Sequence, residues 1–227
     1  MAEQKNIKTV KACSAVYIIA VLLAFAVILI LPQSREWFKS VSGSHPFLMG
    51  FAKFALLATA GELIAAFLAK GSFTLPVKLL WRFIIWGLIG VWITFMMKVY
   101  GAAVAALMAG GTLPGGSNAF LRALYTSVIM NTTFGPTFMA VHKCTDKLLA
   151  LRAQKQPAGL KAVVMGIDWS TFASFTIAKT VPFFWIPAHT VTFLLPAEYQ
   201  VIMAAALSVA LGVILTLANT VKGGTKH

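Results

Sequence analysis

The most regular feature of the chain is a series of six long apolar stretches separated by short polar segments. Each has roughly 20 residues or more, which as a helix is enough to cross a hydrocarbon core of about 30 Å. The pattern therefore predicts six transmembrane helices. They are expected at Ala12–Pro32, Phe47–Ala69, Leu79–Met108, Ala119–His142, Trp169–Leu195 and Tyr199–Val221.

These stretches lack the alternation of polar and apolar residues that is typical of membrane β-strands. Backbone groups in lipid must hydrogen-bond within their own segment, which leaves helices. We therefore expect an all-α membrane bundle that forms a single domain over residues 1–227. The third stretch is too long for a perpendicular span, so it should tilt, bend at Gly87 or Gly90, or project from the bilayer.

The composition supports a membrane protein and excludes several other classes. Of the 227 residues, 59% are hydrophobic and only 11% are charged, whereas about a quarter of the residues in a soluble domain are charged. The mean hydropathy is +0.84. A soluble globule, a disordered tail and an ordinary nucleic-acid binder are therefore not expected, although the net charge is +13.

The basic residues divide unevenly between the two sides of the predicted bundle. The side that carries the N-terminus has 13 of them, and the other side has 3, namely Arg35, Lys39 and Arg122. By the positive-inside rule, both termini should face the cytoplasm or its organellar equivalent. The 13 are Lys5, Lys8, Lys11, Lys70, Lys78, Arg82, Lys143, Lys147, Arg152, Lys155, Lys161, Lys222 and Lys226.

This charge pattern also predicts location and lipid contacts. We expect a multi-pass protein of a prokaryotic cytoplasmic membrane or an organelle inner membrane, with anionic headgroups bound at its basic inner face. The first stretch lacks a small-residue cleavage site, so it is interpreted as an uncleaved helix.

Several polar and aromatic residues lie inside the predicted spans and are candidates for a solute path. Charged groups near the bilayer centre usually face a cavity or a partner. Glu62 and Lys179 lie at similar depth and are predicted to pair, whereas Lys53 and Lys98 have the alternative of reaching the outer headgroups along their stems. The candidates are Glu62, Lys98, Asn131, Lys179, Trp185 and His189.

The fifth stretch contains two prolines, Pro182 and Pro187, which remove backbone donors and favour a bend. A bent helix that carries Lys179 and His189 is predicted to form a gate. The alternative is a harmless kink with Trp185 near the outer interface. Lysines outnumber acids within the spans, and this positive sign favours anionic solutes.

No sequence motif for an enzyme, a phosphate-binding loop or a metal site occurs. We therefore expect no catalytic residues, no metal and no cofactor. The first hypothesis is a channel or transporter-like protein for small solutes, including anions. The second is a structural membrane protein that binds lipid or a partner protein. Expected partners are membrane lipids, small solutes and further copies of the chain in a homo-oligomer, but not nucleic acid.

Short motifs from Gly61 to the C-terminus follow the order of those in a known family. They are GELIA at 61–65, LPG at 113–115, FGPTF at 134–138, WIP at 185–187 and LPAEYQ at 195–200. The chain resembles the peroxisomal membrane protein family, which includes the Mpv-type proteins of the mitochondrial inner membrane, as a divergent member.

The resemblance implies a small multi-helix membrane protein associated with channel-like solute passage. Glu62 would carry the family's acidic position, and Asn131, Trp185, Pro187 and Pro196 would carry other positions in part. The departures are that Met130-Asn131 stands where the family has Asp-Gln, that Ile186 interrupts its Trp-Pro, and that Gln200 replaces its arginine.

Overall fold

A computed structural model of the chain describes residues 2–70 and 79–224, and these residues form helices joined by turns without strands. The all-helical class is thereby confirmed. Nine α-helices and one π-helix follow each other within the described ranges. They are α1 Ala2–Ile30, α2 Pro32–Ser44, α3 Pro46–Lys70, α4 Leu79–Ala109, α5 Ala119–Ala153, α6 Leu160–Met165, α7 Trp169–Thr171, the π-helix Phe172–Trp185, α8 Ile186–Leu194 and α9 Ala197–Gly224.

Part of the predicted basic inner face falls outside this description. Lys78 and Lys226 lie outside the described residues. The side chains of five further members of that set lie outside them as well, namely Lys5, Lys8, Lys11, Lys70 and Lys222.

Four of the described helices contain segments long and apolar enough to cross a membrane: Ala12–Ile30, Pro46–Leu68, Leu79–Ala109 and Ala197–Ile214. They match four of the six predicted spans closely, because an uninterrupted run of apolar residues dictates a helix in lipid. The other two predicted spans fall on α5 and on the π-helix with α8, which are helical but are not among the four.

The chain divides into two compact units. The first unit contains residues 1–94 and 201–227, and therefore α1 to α3, the first half of α4 and most of α9. Within it, the Tyr17 hydroxyl on α1 donates a hydrogen bond to the Leu56 carbonyl on α3 over 3.1 Å. Phe54, Ala55 and Leu63 of α3 are buried in the core of the unit.

Glycines let α3 pack closely against its neighbours in the first unit. A Cβ atom added to Gly50 would lie 2.8 Å from the Gly90 carbonyl oxygen of α4, and one added to Gly61 would lie 2.6 Å from Val209 of α9. Such close approach is typical of small residues at membrane helix interfaces. Helix α4 continues through Gly87 and Gly90 without a break, so Gly90 provides room for the facing backbone.

The second unit contains residues 95–200. Asn118 caps α5 by accepting a hydrogen bond from the Leu121 amide over 3.0 Å. Asp168 caps α7 in the same way through the Thr171 amide, at 2.9 Å. Hydrogen bonds from Thr171 also lower the pKa of the Asp168 carboxyl, as expected for an acid that begins a helix.

The main packing in the second unit is between α5 and α8. Ser127, Asn131 and Phe134 of α5 are buried there, spaced three or four residues apart. Residues at this spacing lie on one face of a helix. From α8, the buried residues are His189, Thr190 and Thr192. Both buried faces therefore contain polar groups, which must hydrogen-bond within the protein.

Candidate functional site

A chain of hydrogen bonds links α5 to α8 in the interior of the second unit. The Ser127 hydroxyl donates to the Ile186 carbonyl over 2.7 Å. The Asn131 side-chain amide donates to the Ser127 carbonyl over 2.8 Å. The Asn131 side-chain oxygen is 3.0 Å from Nδ1 of His189. All three side chains are at most 9% exposed, so we call this set the polar network.

The direction of these bonds defines which ring nitrogen of His189 carries a proton. Because the Asn131 amide nitrogen is directed to Ser127, its oxygen faces His189, and an amide oxygen only accepts hydrogen bonds. Nδ1 of His189 therefore carries the proton that is donated. In the neutral ring Nε2 is then left as an acceptor, so the imidazole can still receive a hydrogen bond from a solute or water.

Two aromatic rings flank His189 along its own helix. Trp185, one turn before it, has its ring centroid 5.1 Å away, and the Phe193 centroid, one turn after it, is 6.4 Å away. Residues four apart on a helix stack along one face. The aromatic neighbours restrict the orientation of the imidazole, and they provide apolar surface next to the polar network.

A cavity of about 130 Å³ lies in the same unit, between the second half of α4, α5 and the segment from α8 to α9. Its polar lining residues are Arg122, Thr126 and Gln200. Phe193 also lines it and contacts His189 edge-on. Within the described part of the chain, Arg122 forms no ion pair. The cavity therefore has a guanidinium whose charge is not neutralised by a carboxylate there.

Both prolines lie within helical segments, and the predicted gate stays a prediction. The helix continues through Pro182, but Phe172–Trp185 has the wider π geometry, in which a backbone amide bonds to the fifth residue before it. Pro187 is the second residue of α8, just after the change from π to α geometry, and its ring nitrogen donates no hydrogen bond. The segment is thus a continuous helix that changes type at Ile186, three residues before His189.

The predicted candidates fall into three groups. Asn131, Trp185 and His189 come together at the polar network. Lys98 and Lys179 are exposed within the second unit. Glu62 belongs to the first unit.

The ion-pair partner of Glu62 differs from the predicted one. Its Oε1 accepts a hydrogen bond from the Arg82 guanidinium over 2.8 Å and another from the Trp86 indole over 3.0 Å. Lys179 was predicted as the partner from depth alone. Arg82 lies in the first turn of α4, where the predicted span Leu79–Met108 also places it. Its long side chain therefore reaches Glu62 from there.

Lys53 is buried in the first unit, at 4% exposure. Its ammonium donates to the Ser42 hydroxyl over 3.0 Å and lies 4.3 Å from the centroid of the Phe38 ring. Lys53 thus joins α3 to α2 through a hydrogen bond and a cation–π contact.

Sequence reasoning missed the residues that line the cavity. Arg122 was treated only as a basic residue of the outer side, although the predicted span Ala119–His142 places it in the first turn of that helix. Ser127 carried no signal, because a lone serine in an apolar stretch is common. Within the described residues, no group of three or more His, Cys, Asp or Glu side chains is arranged to hold a metal ion.

Comparisons of the chain with protein-family models, with curated proteins and with solved structures find no match. The resemblance to the peroxisomal membrane protein family therefore stays a prediction.

Proposed function

We propose that this chain is a multi-pass membrane protein that gives small solutes, with a preference for anions, a path across the membrane. The observation that carries the proposal is the cavity beside the polar network. Arg122 contributes a positive charge to the cavity lining, and a site of one sign raises the local concentration of the opposite ion. The volume of about 130 Å³ is similar to the roughly 150 Å³ that accommodates benzene, so only small solutes fit.

The path leads from the cavity to the polar network. Phe193 lines the cavity and contacts His189, and His189 and Asn131 offer hydrogen-bonding groups on the buried faces of α8 and α5. In this proposal α5 and the π-helix with α8 are the two further spans, which makes six with both termini inside. Arg122 then lies on the outer side, at the entrance. The membrane is a prokaryotic cytoplasmic membrane or an organelle inner membrane.

Reversal potentials in planar bilayers test the anion preference. Under a tenfold salt gradient, an ideally anion-selective path gives about 59 mV for a monovalent ion, the value for a tenfold ratio and one charge. Neutralising the cavity cation with Arg122→Gln should move the reversal potential toward zero. The matched control is Arg35→Gln, an exposed arginine in the first unit, which should leave the potential unchanged.

The same recordings contain the outcomes that would reject the proposal. An unchanged reversal potential in Arg122→Gln would show that the conducted ions do not pass the charge in this cavity. Absence of conductance in the wild-type protein, at densities where it is inserted and folded, rejects the path altogether. Lys98→Gln and Lys179→Gln, measured alongside, show whether the exposed lysines contribute to selectivity.

A structural membrane protein that binds lipid or a partner is the second candidate. It is favoured by the first unit, where the Glu62–Arg82 ion pair and the close approach of Gly50 to Gly90 fix how α3 and α4 pack. An ion pair used in this way specifies which helices pack together, and this role does not require a transported solute. This candidate predicts a stable, inserted protein without conductance.

A further inference from the structure

A second cavity, of about 410 Å³, lies within the first unit between α1, α3 and α4. This volume is in the range of sites that bind small molecules, about 300–1,000 Å³. Its walls are almost entirely apolar, and none of the described residues that line it is charged. Among the lining residues are Cys13, Tyr17, Thr59, Leu63, Leu79 and Phe83.

One hydroxyl in this cavity lacks a hydrogen bond of good geometry. Thr59 is 3% exposed, and its hydroxyl oxygen faces the Tyr17 hydroxyl without a well-aligned hydrogen bond in the described part of the chain. The Tyr17 hydroxyl in the same cavity is directed to the Leu56 carbonyl. Most helical threonines here donate to the carbonyl four residues earlier, as Thr94 does to Gly90 over 2.6 Å. A buried hydroxyl without a well-formed hydrogen bond is costly, so a bound acceptor would satisfy it.

The surroundings of the cavity limit which kinds of molecule can supply this acceptor. Helices α1, α3 and α4 contain three of the four segments able to span a membrane, so molecules that reach the cavity come from the hydrocarbon phase. We propose that the cavity binds a neutral, membrane-dissolved molecule whose apolar chain fills it and whose carbonyl accepts a hydrogen bond from Thr59. A lipid ester and a quinone both supply this chemistry. Any charged headgroup stays outside the cavity.

The native Cys13 provides the readout, because it lines the cavity and is exposed. The full chain carrying Cys144→Ser, which leaves Cys13 as its one thiol, is purified in detergent. The rate of Cys13 alkylation by N-ethylmaleimide is then measured by mass spectrometry. Phosphatidylcholine with ester-linked chains is titrated in parallel with its ether-linked analogue of equal chain length, which lacks the carbonyls. The ester lipid should protect Cys13 at concentrations about two- to tenfold lower, the gain expected from one hydrogen bond.

Variants of Thr59 assign that difference to its hydroxyl. Thr59→Val keeps the shape and should give equal protection by the two lipids, whereas Thr59→Ser keeps the hydroxyl and should retain the ester preference. Thr94→Val is the matched control, because this threonine is equally buried but its hydroxyl already has a partner. It should also retain the preference.

Each remaining outcome is decisive. Protection by a long-chain quinone at lower concentration than by the ester lipid supports the proposal and identifies the quinone as the better occupant. Equal protection by ester and ether lipids in the wild type rejects the carbonyl contact. An ester preference that persists in Thr59→Val rejects the role of Thr59, and failure of every lipid and quinone to slow alkylation rejects the site.

Discussion

Replacing Glu62 by glutamine removes one charge of the ion pair in the first unit. The carboxylate accepts hydrogen bonds from Arg82 at 2.8 Å and from Trp86 at 3.0 Å, and the Glu62 and Arg82 side chains are 19% and 20% exposed. Breaking a fully buried pair costs about 3–5 kcal/mol, whereas an exposed pair is worth about 0.2–1 kcal/mol. At one-fifth exposure, we expect a loss of about 2 kcal/mol in the free energy of unfolding.

The assay is unfolding in mixed micelles of a mild detergent and SDS, followed by circular dichroism. A double-mutant cycle of Glu62→Gln with Arg82→Met should give a coupling of about 1–2 kcal/mol, because the double variant leaves no buried charge unpaired. The cycle with Lys179→Met should be additive within about 0.5 kcal/mol. The reverse result, coupling to Lys179 and additivity with Arg82, would refute this reasoning and restore the pairing predicted from depth.

Three further outcomes can be checked with single variants. Gly90→Ala should lower the melting temperature clearly, since its Cβ would meet the backbone of the facing helix, whereas Gly43→Ala, with nothing within 4 Å of an added Cβ, should not. Asn131→Leu should cost about 1–3 kcal/mol in unfolding free energy, because it leaves a buried imidazole N–H without an acceptor; a cost near zero would show that water replaces the amide. In sealed cells, an impermeant thiol reagent should label a cysteine at Ser117 but not one at Gln156, both exposed positions; labelling at 156 would contradict the proposed orientation.

The helices themselves were largely predictable from the sequence. The predicted span Leu79–Met108 and the observed helix Leu79–Ala109 agree within one residue, because the apolar run has a clear start and end. The 13-residue helix α2 was missed, since its mixed polar and apolar residues fall below any hydropathy threshold. Two of its residues, Phe38 and Ser42, are nevertheless buried.

The candidate site was predictable only in part. Asn131, Trp185 and His189 were singled out because polar and aromatic residues in apolar spans are unusual, and they do meet. The partner of Glu62 was not found, because hydropathy and charge counts give the depth of a residue along its helix but not the direction in which it points. The contribution of Arg122 was missed for the same reason.

The π-helix makes the second unit sensitive to the number of its residues as well as to their identity. Phe172–Trp185 contains 14 residues, and α8, which carries His189, follows it directly. Each residue of an α-helix turns the chain by about 100°, so deleting one residue from this segment rotates everything beyond it by a similar angle. His189 would then turn away from Asn131 even with every side chain of the network still present. The length of this segment therefore sets the rotation of α8 about its own axis. A change of one residue in that length is expected to separate His189 from Asn131 and so to break the polar network.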